Sequence, residues 1–311
     1  MKTSLPSLAE NRRDTAKAGA GLTALAFVMW GLLPIYWKAL SHVRPTEVLA
    51  HRIVWSLAVL AALLTVRRRW KDVILGVRTW RDAGRLLCGS LLLGGNWYAF
   101  VWAITNNRVL ECSLGYYINP LLSMLLGCVF LGERLRRWQV AALMLAVAAV
   151  MNLLVAHGQL PWIGLGLAGT FSLYGLLRKV SDLGSLPGVT AETALLAVPA
   201  VTGLLYLNST GQCALLEMGW QTAGLLIAAG LVTATPLLCF SYGARRIRLS
   251  TVGFLQYLAP SCMFLLGVLV YKEPFDWGKA LTFAMLWVAI GLYSWDSAKN
   301  ISQNRHSQCA Q

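Results

Sequence analysis

Glu47, His51 and Trp55 recur at four-residue spacing, so a helix carries all three on one face, with Arg52 about 100° round from His51. The four lie in an apolar run, where an ionisable side chain costs about 2.5–3.5 kcal/mol on insertion scales and marks a functional candidate. The chemistry on offer is ionic: a carboxylate, a guanidinium and an imidazole able to change protonation near neutral pH. A plainer use exists for two of them. Glu47 follows Pro45-Thr46 and could cap a helix at the interface, and Arg52 could snorkel to the headgroups. Glu111 shares a helical face with Gly115 and Asn119 at the same spacing. Glu47, His51, Arg52 and Glu111 are therefore the candidates for gating or for proton coupling.

A second set is neutral. Asn96, Trp97 and Trp102 fall in one apolar run, Tyr117 and Asn119 in the next, and Gln256 and Tyr257 far downstream. An asparagine in hydrocarbon needs a partner, which a neighbouring helix or a solute can supply. Pro120 removes a backbone hydrogen bond and frees the carbonyl one turn earlier, at Tyr116. A kink with polar groups beside it is a plausible place for a solute, and Gln256, Tyr257 and Pro260 repeat the pattern. Asn96, Trp97, Trp102, Tyr117, Asn119, Gln256 and Tyr257 are the candidates for a substrate-binding wall. Tyr36 and Trp37 could close an outer mouth or serve as interfacial belt aromatics, and Lys38 is expected to snorkel.

Catalytic and metal patterns are absent from the sequence. The four histidines, 42, 51, 157 and 306, are scattered, and the seven cysteines form no CxxC. Cys213 stands alone in an expected outer loop. No GxxxxGK[ST] occurs, so an ATP pump would need a separate subunit. No cofactor and no metal are expected.

The elements that must position these groups are apolar blocks. The chain has 311 residues, 57% hydrophobic and only 13% charged, too apolar for a soluble domain. Ten runs stand out: 18–40, 47–66, 85–105, 109–131, 138–156, 161–178, 188–207, 220–241, 249–271 and 279–295. Each approaches the roughly 20 residues that a helix needs to cross ~30 Å of hydrocarbon. Nothing alternates as barrel strands would, so the expected class is an all-α integral membrane protein.

The net charge of +14 does not point to nucleic acid. All but six of the 27 basic residues (Lys38, Arg44, Arg52, Arg108, Lys272 and Lys279) fall on alternate connections or the tails. That obeys the positive-inside rule with both termini in the cytoplasm. Residues 1–17 and 297–311 are then cytoplasmic tails, and span one is retained rather than cleaved.

Two stretches share one register. Tyr117, Pro120, Leu125-Leu126, Gly127 and Glu133 recur 140 residues on as Tyr257, Pro260, Leu265-Leu266, Gly267 and Glu273. Trp30-Gly31-Leu32-Leu33 likewise matches Tyr174-Gly175-Leu176-Leu177, and Glu47 matches Glu192. The copies lie five runs apart, an odd offset, so a five-span unit (18–156 and 161–296) is duplicated and inverted. Arg134, Arg136 and Arg137 after the first stretch face Lys272 and Lys279, balanced by Glu273 and Asp276, after the second, as inversion requires. Glu133 and Glu273 themselves read as interfacial salt-bridge or capping groups.

Several local sequences resemble one family. They are Trp30-Gly31-Leu32-Leu33-Pro34, Glu47 with His51-Arg52, Gly94-Gly95-Asn96-Trp97 and Leu114-Gly115-Tyr116-Tyr117-Ile118-Asn119-Pro120-Leu121. Leu131-Gly132-Glu133-Arg134, Arg248-Leu249-Ser250-Thr251 and Gln256-Tyr257 complete the set. Together they resemble the RarD group of the EamA-type drug/metabolite transporter superfamily, over about residues 16–296. The resemblance implies ten helices in two inverted five-helix repeats, a bacterial inner membrane, and members described as chloramphenicol-sensitivity or permease proteins.

The expected function is alternating-access transport of a small organic solute, outward rather than inward. Two other classes stay open: a membrane enzyme acting on a lipid-linked substrate, and a channel. The expected partners are a small-molecule solute and the lipid bilayer, with no nucleic acid; a homodimer is allowed but not required.

Overall fold

A computed structural model describes residues 8–309 except 133, 134, 180, 182, 245 and 248–254. Glu133, Arg134 and Arg248–Thr251, which carry part of the resemblance, lie outside the described residues. Every element is helical: α1 (Leu8–Ala39), α2 (Pro45–Val66), α3 (Trp70–Leu75), α4 (Trp80–Thr105), α5 (Val109–Leu131) and α6 (Arg137–His157). Then come α7 (Trp162–Lys179), α8 (Ser185–Ser209), α9 (Ala214–Glu217), α10 (Gly219–Ala244), α11 (Leu258–Leu265, running into a π turn at Leu266–Val270) and α12 (Trp277–Cys309). No strand occurs among the described residues.

Local chemistry sets the ends. Pro45 opens α2 at a position whose amide would have no partner inside the helix. Thr79 and Asp82 form a reciprocal capping box at the start of α4. Gly132, at φ 68°, terminates α5 in the left-handed region that favours glycine.

Among the described residues, seven helical segments are long and apolar enough to cross a membrane: Lys17–Ala39, Pro45–Val66, Trp80–Thr105, Val109–Leu131, Arg137–Ala156, Leu186–Ser209 and Gly219–Phe240. The other three expected spans fall on α7, on the shorter apolar segment Leu258–Val270 and on α12. Large aliphatic side chains face outward around the bundle, Val155 at 82% exposure and Val198 at 67%, an arrangement suited to lipid.

Pro260 departs from the expected kink. It falls in the first turn of α11, where no intrahelical bond is lost, whereas Pro120 sits in mid-α5. The irregularity of the downstream segment is the π turn instead.

The packing partners are α1 with α10 and α11, α2 with α8 and α10, α4 with α7 and α8, α5 with α7 and α11, and α6 with α12. Small residues let backbones meet: a Cβ added at Gly115 would stand 2.5 Å from the Gly164 carbonyl oxygen, between α5 and α7. Gly94 on α4 meets Leu196 on α8, and Gly230 on α10 meets Trp55 on α2.

One end of the bundle is laced across helices. His42 bonds Thr222 (3.0 Å), Arg44 bonds Gln212 (2.9 Å), Lys38 bonds Asn107, and Tyr36 donates to the Leu225 carbonyl. At the opposite end, Arg136 pairs with Asp296 at 3.2 Å, and Arg178 donates to the Leu183 and Gly184 carbonyls.

Candidate functional site

Arg52 lies inside the bundle at 5% exposure, so it does not snorkel. Its guanidinium carbon stands 4.9 Å from the Trp37 ring centroid and 4.4 Å from the Trp97 ring centroid, a meeting of α1, α2 and α4. Trp37 is fully buried, which rules out a belt position. Nε and Nη1 of Arg52 are buried without a hydrogen-bond partner, and no carboxylate pairs with it among the described residues. Two cation–π contacts of about 2 kcal/mol each offset part of the charge burial, but the effective desolvation cost is several kcal/mol per ion, and they satisfy no N–H.

Other buried polar atoms also lack a protein partner, among them His51 Nε2, Trp55 Nε1 and Ser56 Oγ on α2, Trp37 Nε1 on α1 and Thr233 Oγ1 on α10. Buried polar groups are normally paired, so such exceptions need an explanation. The tryptophan and guanidinium nitrogens can only donate.

Glu47 is committed elsewhere. Its Oε1 accepts the Ala214 backbone N–H at 2.6 Å, fixing the 210–218 connection to α2. His51 Nε2 is 4.0 Å from the same oxygen. Cys213 joins them: the ligand atoms of Glu47, His51 and Cys213 lie within 4.8 Å of one another, and all three residues are buried. This trio supplies O, N and S donors of the kind that hold borderline cations. Sequence spacing does not reveal it, because Cys213 is distant in the chain from Glu47 and His51.

The second region is formed by the duplicated tyrosines. The Tyr117 and Tyr257 rings stack at 6.4 Å with 20° between their planes. Tyr117 Oη bonds Ser261 Oγ at 2.8 Å, and Ser113 Oγ donates to the Pro260 carbonyl at 2.7 Å, so α5 and α11 are tied at both prolines' neighbourhoods. A cleft of about 320 Å³ is lined by Tyr117, Tyr257, Ser261, Phe264, Trp287 and Ile290, among others. Gln256 is half-buried on the turn just ahead of α11.

The remaining expected residues are placed apart from both regions or are occupied by neighbouring helices. Asn96 Nδ2 donates to the Leu167 carbonyl (3.1 Å) and Thr170 Oγ1 (2.9 Å), so α7 supplies its partner. Asn119 Oδ1 accepts from Ser172 Oγ at 2.6 Å, again on α7. Trp102 packs on Trp162 with centroids 5.6 Å apart, and Glu111 pairs with Arg108 at 2.8 Å in a largely exposed position.

Glu273 caps rather than binds. Its two oxygens accept the Val109 and Leu110 amides at 2.6 and 2.9 Å, satisfying two orphan donors at the start of α5. Burial pushes this carboxyl above its ordinary value, against the pull of those amides and of Lys38 and Lys279.

Residues 17–155 match the EamA-like transporter family. The chain is 47% identical to a Vibrio cholerae protein named as an uncharacterized transporter, over 92% of this chain and 95% of that one. It is 44% identical to Protein RarD of Salmonella typhi, over 90% of this chain and 96% of that one. A solved crystal structure shares the fold at TM-score 0.56 and 19% identity, covering 89% of this chain and 96% of the other. With several spanning helices and relatives of this identity over almost the whole length, the chain is a multi-pass membrane protein that belongs to the RarD group of EamA-like transporters.

Proposed function

We propose that this transporter is a secondary carrier working by alternating access, in which two inverted five-helix repeats, 18–156 and 161–296, enclose a small organic solute. Both termini face the cytoplasm, with 1–17 and 297–311 as tails, in a bacterial inner membrane. The observation that carries the reading is the pattern of packing partners. Numbering the ten expected spans in order, a shift of five exchanges α1–α10 with α7–α4, α2–α10 with α8–α4 and α5–α7 with α11–α1, while α2–α8, α5–α11 and α6–α12 map onto themselves. A two-fold pseudo-axis in the membrane plane has this consequence. The Tyr117–Tyr257 stack joins equivalent residues across such an axis, and Gly94–Leu196 repeats Gly230–Trp55.

The transporter names of the relatives favour a carrier over an enzyme. Net movement is outward in this reading, and the solute is amphipathic rather than highly charged. The decisive experiment is counterflow in proteoliposomes loaded with unlabelled solute, using metabolites and antibiotics including chloramphenicol. A carrier gives saturable, trans-stimulated uptake. Flux that rises linearly with concentration and ignores the internal solute would instead identify a channel.

A further inference from the structure

Arg52 is the only lysine or arginine buried among the described residues. Arg178 provides an internal control for what a structural arginine does here. It donates to the Leu183 and Gly184 carbonyls and stands 3.7 Å from the Glu192 carboxylate. Arg52 does none of this. Its walls are the two indoles of Trp37 and Trp97, which attract the cation but accept no N–H bond, and Nε and Nη1 are left open. Trp37 Nε1, on one of those two rings, is a further buried donor without a partner. A buried, unneutralised cation with open N–H groups calls for an anionic acceptor.

The geometry points to a ligand subsite: we propose that Arg52 anchors the carboxylate of an amphipathic monocarboxylate or amino acid, whose apolar body rests against the Trp37 and Trp97 rings. A planar guanidinium matches a carboxylate, and a charge-assisted bond of this kind is stronger than a neutral one. One buried cation balances one carboxylate; a phosphate dianion would need a second, and none is buried among the described residues. Indole rings offer a flat apolar surface to an aromatic or aliphatic body. The proposal rests on the carrier reading and narrows its substrate class.

The test uses the purified full-length protein and three matched pairs: phenylacetate, hexanoate and phenylalanine, each beside its amide. Melting is followed against ligand concentration, because a compound that binds the folded state raises the transition. At least one acid is expected to raise it saturably, with its amide at least tenfold weaker. Arg52→Gln should abolish that difference, and Arg52→Lys, which keeps the charge but not the planar fork, should retain only a weak response. If neither variant folds, the acid–amide difference in the wild-type chain still decides. Equal responses to acids and amides, no response to any acid, an acid response surviving in Arg52→Gln, or a stronger response to phenylphosphonate than to phenylacetate would each overturn the assignment. Counterflow separates the two levels. Saturable exchange of neutral solutes with no preference for acids removes the carboxylate site and leaves the carrier standing. Absence of saturable exchange for both classes removes the carrier as well.

Discussion

The guanidinium beside Trp37 and Trp97 and the stacked pair Tyr117–Tyr257 are both aromatic sites, and they differ in what they leave unsatisfied. Arg52 has two indole rings against it and open N–H groups. Tyr117 has a ring partner and a hydroxyl partner, Ser261, across the same α5–α11 contact, and the group left without a partner there, the buried Tyr257 hydroxyl, is neutral. An unpaired buried charge is expensive and specific, so it belongs where something is recognised. A neutral contact between two helices is cheaper to make and remake, so it belongs where helices move. The inference is a division of labour: α1, α2 and α4 read the solute, and α5 with α11 forms the joint.

The comparison breaks most sharply at Arg52. Arg52→Met removes the charge and keeps the bulk. It should abolish exchange of acidic solutes while thermal stability holds or rises, because replacing buried ions by apolar groups of similar volume is often neutral or stabilising by about 1–4 kcal/mol. A fall in stability of about 3–5 kcal/mol would make Arg52 a structural partner instead.

Tyr117→Ala and Tyr257→Ala should each slow exchange about tenfold without altering the preference among solutes. Their effects should not add, since the rings touch each other. Independent effects in the double variant would dissolve the joint.

Glu273→Gln should lower the melting transition by an amount equivalent to about 1–3 kcal/mol, the cost of stripping a charged acceptor from two buried amides. Solute preference should stay as it is. Asn96→Ala is expected to cost about 1 kcal/mol through its lost bonds to α7, with little change in affinity. The smallest effect belongs to Glu111→Gln, within about 0.5 kcal/mol, because its pair with Arg108 is solvent-screened. A large loss of exchange in Glu111→Gln would restore it to the coupling machinery.

Much of this was readable from residue order. Apolar runs located the helices, and every expected span coincides at least in part with one of them. Tyr117 and Tyr257, equivalent in the recurrence, meet in space, as the proposed two-fold relation requires where its axis passes. Arg52 was recognisable as costly, but its alternatives, snorkelling or pairing with a carboxylate, both assumed the usual ways of stabilising a charge. The indole pair draws Trp37 and Trp97 from helices 60 residues apart, and no local pattern encodes such a meeting.

The asparagines are a different case. Asn96 and Asn119 need partners inside hydrocarbon, and side-chain type alone does not say whether a helix or a solute provides one. Here α7 provides both. The carboxylates of Glu47 and Glu273 were open to a capping role by position, but the amides they hold belong to segments more than 160 residues away, at Ala214 and at Val109 and Leu110.

Alternating access about the tyrosine joint is tested most directly by locking it. Tyr117→Cys and Tyr257→Cys, introduced together in a chain otherwise stripped of cysteine, can be bridged by a short reagent carrying a reducible disulfide. Counterflow in proteoliposomes is then measured before bridging, after bridging and after reduction. The expected result is exchange that stops on bridging and returns on reduction, with each single-cysteine variant indifferent to the reagent. A bridged carrier that exchanges solute at its full rate would contradict the joint, and with it the inverted-repeat mechanism built around it.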